Sequence, residues 1–195
     1  MSRPRRPRRR LASVVVEPSS LRATYLSGPT VYLRALVESD KEHAAAWLDD
    51  TFPTNAPAAE SVLKEEHGSP WWDRPSLRLV IVRREDDVVV GGVRISWGSE
   101  VRRCRLAFSM APGEQDQDSL RAAALPIVVR WLRDEWEAMV VTVTVPGDAT
   151  ETLRAAEEVG MERHGTYREW FARPAGRVDA HVYEALNPNW VVRDA

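Results

Sequence analysis

The sequence predicts an α/β (α+β) domain: a single mixed, mostly antiparallel sheet flanked by helices on both faces. Three observations predict it. The middle of the chain carries short alternating runs joined by turn residues, as a meander does. The second half separates its strands with segments of helical spacing. One of those strands, Val140–Val145, is an unbroken β-branched run that reads as buried on both faces.

A length of 195 residues allows one domain with a full core and is short for two. Residues 1–20, rich in Arg, Pro and Ser, read as a basic, disordered tail, and 21–195 as the domain. Gly28-Pro29 marks a break, after which Val31–Leu36 alternates as a strand. A helix begins at Ser39-Asp40, with Ala44, Trp47 and Leu48 as its apolar stripe. Thr51–Ala59, full of Pro and small residues, reads as a loop, and Glu60–His67 as a second helix. Leu77–Val82 and Val88–Trp97 form a hairpin across Glu85-Asp86-Asp87, and a third strand covers Arg103–Met110. Leu120, Ala124, Ile127, Val128, Trp131 and Leu132 give helical spacing up to Trp136. Pro126 either interrupts that helix or marks a late start for it. Thr150–Val159 is a helix stopped by Gly160, and Tyr167–Arg173 with Asp179–Leu186 closes the chain as a hairpin.

Composition narrows the function classes. An apolar fraction of 44% with 29% charged residues is that of a soluble globular protein. No apolar run approaches the ~18 residues that would span a membrane. The single cysteine, Cys104, rules out an intramolecular disulfide, and His43, His67, His164 and His181 are too scattered to imply a metal set, so no metal is expected. Leu11–Val16 is too short for the apolar part of an export signal, so a cytoplasmic location is the default expectation. The net charge is −2, but six arginines in the first ten residues carry +6, leaving −8 on the remainder. An acidic body favours cationic partners such as amines, while the Arg-rich tail allows a weak nucleic-acid contact. Monomer and homodimer are both open.

Several segments match a known family. Gly28–Leu36 followed by Asp40, Val90-Gly91-Gly92-Val93, Glu158–Glu169, Gly176–Asp179 and Tyr183–Leu186 occur in the order and spacing of the GNAT superfamily of N-acetyltransferases. Over residues 28–187 the chain resembles the RimJ/RimL-like branch of that superfamily. The resemblance implies a GNAT fold, acetyl-CoA as co-substrate, and an amine acceptor, either a protein N-terminus or a small amine.

It also implies a site. In the family the strand before the long helix splays from its neighbour, the acyl-pantetheine arm lies in the gap, and the pyrophosphate sits on amides at the helix N-terminus. The matching positions here are Ser109, Met110 and Ala111, then Gln115, Asp116, Gln117, Asp118 and Ser119. Gln115 fits the family's Arg/Gln-x-x-Gly-x-Gly/Ala pattern, but Asp118 and Leu120 replace its two small residues, and Glu114 and Asp116 add charge. Two readings of this degenerate loop stay open. Three carboxylates facing a pyrophosphate would repel it, so that Asp118→Gly would strengthen CoA binding. Alternatively Asp116, Asp118 or Ser119 caps the helix, filling the anion hole with the chain's own side chain.

Thr152 and Arg154 take the Ser and Arg positions of the family's next motif, while Ala149 replaces its Asn. A backbone amide near Ser109–Ala111 would stabilise the thioester oxygen if the strand bulges. No residue stands out as the base: Ala155 and Ala156 stand where a tyrosine is usual, Ser109 and Thr144 are lone polar groups near the split, and Glu169 and Asp179 suit a role in orienting the terminal hairpin. The acceptor side falls to Thr51–Ala59, Pro70–Arg74 and the hairpin, with Trp71, Trp72 and Asp73 offering ring faces and charge to a cationic amine. The alternative function is a GNAT-fold protein that has lost CoA binding and serves as an interaction or regulatory module.

Overall fold

The computed structural model describes residues 26–48, 56–68, 76–97 and 102–190. The basic tail, Thr51–Asn55 of the first loop, and Trp71, Trp72 and Asp73 lie outside these residues. The elements run β1 (Leu26–Ser27), β2 (Val31–Ala35), α1 (Ala44–Trp47), α2 (Ala56–Gly68), β3 (Ser76–Arg83), β4 (Val89–Trp97), β5 (Arg103–Met110), α3 (Gln117–Arg130), β6 (Val140–Pro146), α4 (Thr150–Glu158), β7 (Glu162–Arg173) and β8 (Gly176–Leu186). They form one eight-stranded sheet in the order β1-β2-β3-β4-β5-β6-β8-β7, in which only β5 and β6 run parallel.

Alternation along the strands sorts the core onto two faces. Leu33, Leu79, Ile81, Ile95, Leu106, Val141, Val143 and Val145 pack under α3 and α4, against Leu125, Val128, Leu132 and Ala156. Tyr32, Val80 and Val82 face the other way, against Trp47, Leu48, Ala59 and Leu63 of α1 and α2. The expected helices on both faces are there. Gly92 is what lets α1 down onto the sheet, because a Cβ there would lie 2.6 Å from the Cβ of Trp47.

Three local expectations change. The helix expected from Ser39 is a 3-10 turn over Glu38–His43, with α-geometry only in α1. Asp40 explains the bend: it is 2% exposed, forms a bidentate pair with Arg34 at 2.7 and 2.8 Å, and accepts the Val37 N–H at 2.7 Å. Broken on one side, such a pair would strand a buried charge. The expected loop Thr51–Ala59 is too long at its end, since Ala56–Ala59 already form the first turn of α2. Pro126 lies inside α3, which starts early, at Gln117, so the alternative of a late start is excluded. The helix runs on into a π-turn, Trp131–Glu135, anchored by Trp131 stacking on Trp136 at 5.8 Å and Trp97 meeting Trp136 edge-on at 5.0 Å.

Candidate functional site

β5 and β6 pair over Arg103–Leu106 and Val140–Val143 only. Beyond that point β5 stays with β4 as far as Met110, and β6 stays with β8 as far as Pro146, so the two part like the arms of a V. α3 begins just past one arm and α4 just past the other, and the starts of both helices line one cleft. Ser109 and Thr144 stand on the two arms. The condition set for an oxyanion amide, a bulge in β5, is not met: the register with β4 is continuous, and the irregularity lies one strand away, between β3 and β4. The Ala111 N–H is therefore engaged, donating to the Val90 carbonyl at 2.9 Å. Alternate amides of a strand point to opposite sides, so those of Phe108 and Met110 face the gap that β6 leaves.

The acidic loop is folded so that two of its three carboxylates are occupied. Gly113, at φ +85, turns the chain; the Gln117 side-chain Nε2 donates back to the Ala111 carbonyl at 3.0 Å. Glu114 accepts from Arg83 at 3.0 Å, and Arg83, held also by Asp86, has its pKa raised mainly by the Asp86 hydrogen bond. Asp118 caps a helix, but not its own. Its carboxylate reaches across to α4 and accepts the N–H of Glu151 at 2.8 Å, the N–H of Thr152 at 3.1 Å and the Thr152 hydroxyl at 2.6 Å. The reason lies in the sequence of α4, whose N-cap is Ala149, a residue with nothing to offer the first-turn amides. Asp118 stands in for the missing cap, and Thr152 is fully buried, not on the helix surface.

The expectation that Asp116, Asp118 or Ser119 fills the N-terminus of α3 is thus corrected. Asp116 occupies the N-cap position without a side-chain cap bond, and Ser119 is exposed. The amides of Gln117, Asp118 and Ser119 donate to no acceptor among the described residues. Gln117 and Asp118 border a cleft of about 400 Å³ lined also by Glu114, Gln115, Arg121, Asp148, Ala149 and Arg173. Asp148 at its rim is bound by Arg173 at 2.8 and 3.1 Å, which lowers the Asp148 pKa and ties the β7–β8 hairpin to the β6–α4 loop.

The remaining candidates separate. Arg154 points out of α4, mostly exposed and 3.7 Å from Glu158. Asp179 does orient the hairpin, accepting the N–H of Glu169, which sits at φ +50 in a break in the β7–β8 register. Tyr183, buried on β8, donates to Glu157 at the far end of α4. Among the described residues no group of His, Cys, Asp and Glu could hold a metal, and no helix is long and apolar enough to cross a membrane. Burial pushes the Cys104 thiol up to about 11, leaving it unreactive. Sequence reasoning missed Arg83, Arg121 and Arg173. Only Arg121 had a local signal, its place one helical turn after Gln117.

Comparison with solved structures agrees with this geometry. A candidate acetyltransferase from Sphaerobacter thermophilus DSM 20745 is 50% identical, covers 87% of this chain and 99% of its own, and superposes with a TM-score of 0.68. The chain belongs to the GNAT acetyltransferase family. A GNAT-family acetyltransferase from Bacillus anthracis (12% identity, TM-score 0.61, covering 83% of this chain and 98% of its own) shares the fold. So does the spermidine/spermine N-acetyltransferase SpeG from Vibrio cholerae (16% identity, TM-score 0.62, covering 85% and 98%). No family model matches the chain, and no curated protein does.

Proposed function

We propose that this GNAT protein is an acyl-CoA-dependent N-acetyltransferase acting on a primary amine, either a protein N-terminus or a small amine. The observation that carries the proposal is the parting of β5 and β6 beside an α3 N-terminus whose amides meet no acceptor among the described residues, while Glu114 and Asp118 are engaged elsewhere. Acetyl-CoA supplies the activated acetyl group. The amides of Gln117, Asp118 and Ser119 hold its pyrophosphate, with Gln115 and Asp116 at the rim. Ser109, Met110 and Ala111 line the arm of the V, and the Met110 and Phe108 amides offer donors to the thioester oxygen. Thr152 supports the site through Asp118, and Trp71, Trp72 and Asp73 serve the acceptor amine.

One observation favours the second reading, an inactive GNAT-fold module. α4 presents Ala155 and Ala156, both buried, where a proton donor would stand, and Tyr183 is turned to Glu157. Calorimetric titration of acetyl-CoA separates the two. The transferase reading expects binding in the micromolar range, together with CoA release when peptides with free N-termini or polyamines are supplied. No heat at millimolar acetyl-CoA would sink it; binding without turnover on any amine would favour the module.

A further inference from the structure

The cleft between the starts of α3 and α4 has an uneven charge balance. Asp118 is saturated by α4 amides, Asp148 by Arg173, and Glu114 by Arg83. Arg121 is different. It is half-buried in the cleft wall and makes no hydrogen bond or ion pair with any described residue, although Asp118 and Asp148 are near enough to favour its charge. Burial, with the nearby Arg173, lowers its pKa more than those carboxylates raise it, and no hydrogen bond to a described residue offsets that burial. An arginine does not lose its proton in response, and five donors are left to find an acceptor.

The direction of the side chain is set by the helix. Cα–Cβ bonds tilt toward a helix N-terminus, so a residue one turn in covers the first turn. Arg121 is four residues after Gln117 and three after Asp118, which places it over the free amides of α3. Its neighbour Leu120 is 4% exposed and belongs to the core, so the backbone there cannot gain the close approach that a glycine allows.

We propose that Arg121 binds the pyrophosphate of CoA through charge-assisted hydrogen bonds, so that a side chain supplies the donors that backbone amides cannot bring close where Asp118 and Leu120 stand in place of glycines. This rests on the acetyl-CoA reading above. A planar guanidinium matches two phosphate oxygens at once, and beside free amides it is worth more than a solvated cation.

The test is calorimetric titration of acetyl-CoA and of 3′-dephospho-CoA into the wild type, Arg121→Gln and Arg121→Lys, with thermal melting of each protein. Arg121→Gln is expected to weaken both ligands alike by about 10–100-fold, with Arg121→Lys intermediate, because a point charge keeps attraction but loses the bidentate fit. Melting temperatures should stay within about 2 °C, since no intramolecular bond is removed. Wild-type binding that Arg121→Gln leaves unchanged would overturn the proposal and spare the acetyl-CoA reading. A loss confined to acetyl-CoA would place the guanidinium on the 3′-phosphate and overturn it as stated. A wild type that binds neither ligand would overturn both.

Discussion

Two helix N-termini face the same opening, and the chain treats them in opposite ways. That of α4 is closed: Ala149 cannot cap, and Asp118 crosses from α3 to take two amides and a hydroxyl. That of α3 is open: Asp116 stands at the N-cap without capping, and the first amides donate to no acceptor among the described residues. The acidic residue that in sequence looks like an obstacle to phosphate is, in space, an internal strut between two helices. What matters to an anion is not how many carboxylates a loop contains but how many remain uncompensated within reach.

The largest test of the comparison is Asp118→Ala. It removes a cap worth ~1 kcal/mol and the Thr152 hydroxyl's shorter bond, worth ~1 kcal/mol, while that hydroxyl keeps the Asp118 carbonyl at 3.2 Å, so a loss of about 2 kcal/mol is expected. Denaturant melts measure it. Asp118→Gly is expected to behave alike and to weaken acetyl-CoA binding, the reverse of what the loop sequence implies, because α4 loses its position. An Asp118→Gly protein that bound acetyl-CoA more tightly would show that the strut is dispensable and that repulsion dominates. Next in size is Thr152→Val, which deletes the hydroxyl and keeps the shape. The carboxylate retains both amides, and about 1 kcal/mol of stability should go with little change in cofactor affinity.

Most of the fold was legible because its signals are local and periodic. Arg103–Met110 and Val140–Val145 alternate or run unbroken, and α3 shows its stripe from Leu120 to Leu132. The 3-10 turn was not legible, because its cause is the buried pair of Arg34 with Asp40, six residues apart across an element boundary. The site was legible as a place and misread as chemistry. Asp118 to Thr152 is a separation of 34 residues, and nothing near Asp118 says that its partner helix lacks a cap. Ala149 holds that information, but in sequence it shows only that the family's Asn is missing, not that an amide of α4 needs an acceptor from elsewhere.

Glu114→Gln sharpens the account of the open side. Glu114 is held by Arg83 at 3.0 Å with its side chain 14% exposed, so the pair is only partly solvated. Neutralising it should cost no more than about 1 kcal/mol of stability. It frees one nitrogen of Arg83, which Asp86 still holds, and removes one negative charge beside the α3 amides, so acetyl-CoA affinity should rise by about two- to fivefold at low salt and less at high salt. Unchanged affinity at every ionic strength would mean that the pair already cancels itself at the site.

The smallest effect belongs to the tie between Asp148 and Arg173, whose side chains are 44% and 38% exposed. The Asp148 pKa is lowered, first by its hydrogen bond to Arg173. A depressed carboxylate contributes stability that is fully present above the ordinary carboxylate pKa and lost as pH falls through the lowered one. The contribution is thus intact at neutral pH and disappears only in strong acid. Solvent screening limits it to about 0.2–1 kcal/mol. Asp148→Asn imitates the acid state at pH 7, and amide hydrogen exchange at Gly147 and Arg173 reads the result. Faster exchange confined to the β7–β8 hairpin and the β6–α4 loop is expected, with α4 protected as before, because its N-terminus is held by Asp118 and not by the hairpin. Equal loosening of α4 would mean that the closed N-terminus depends on the hairpin as well as on Asp118.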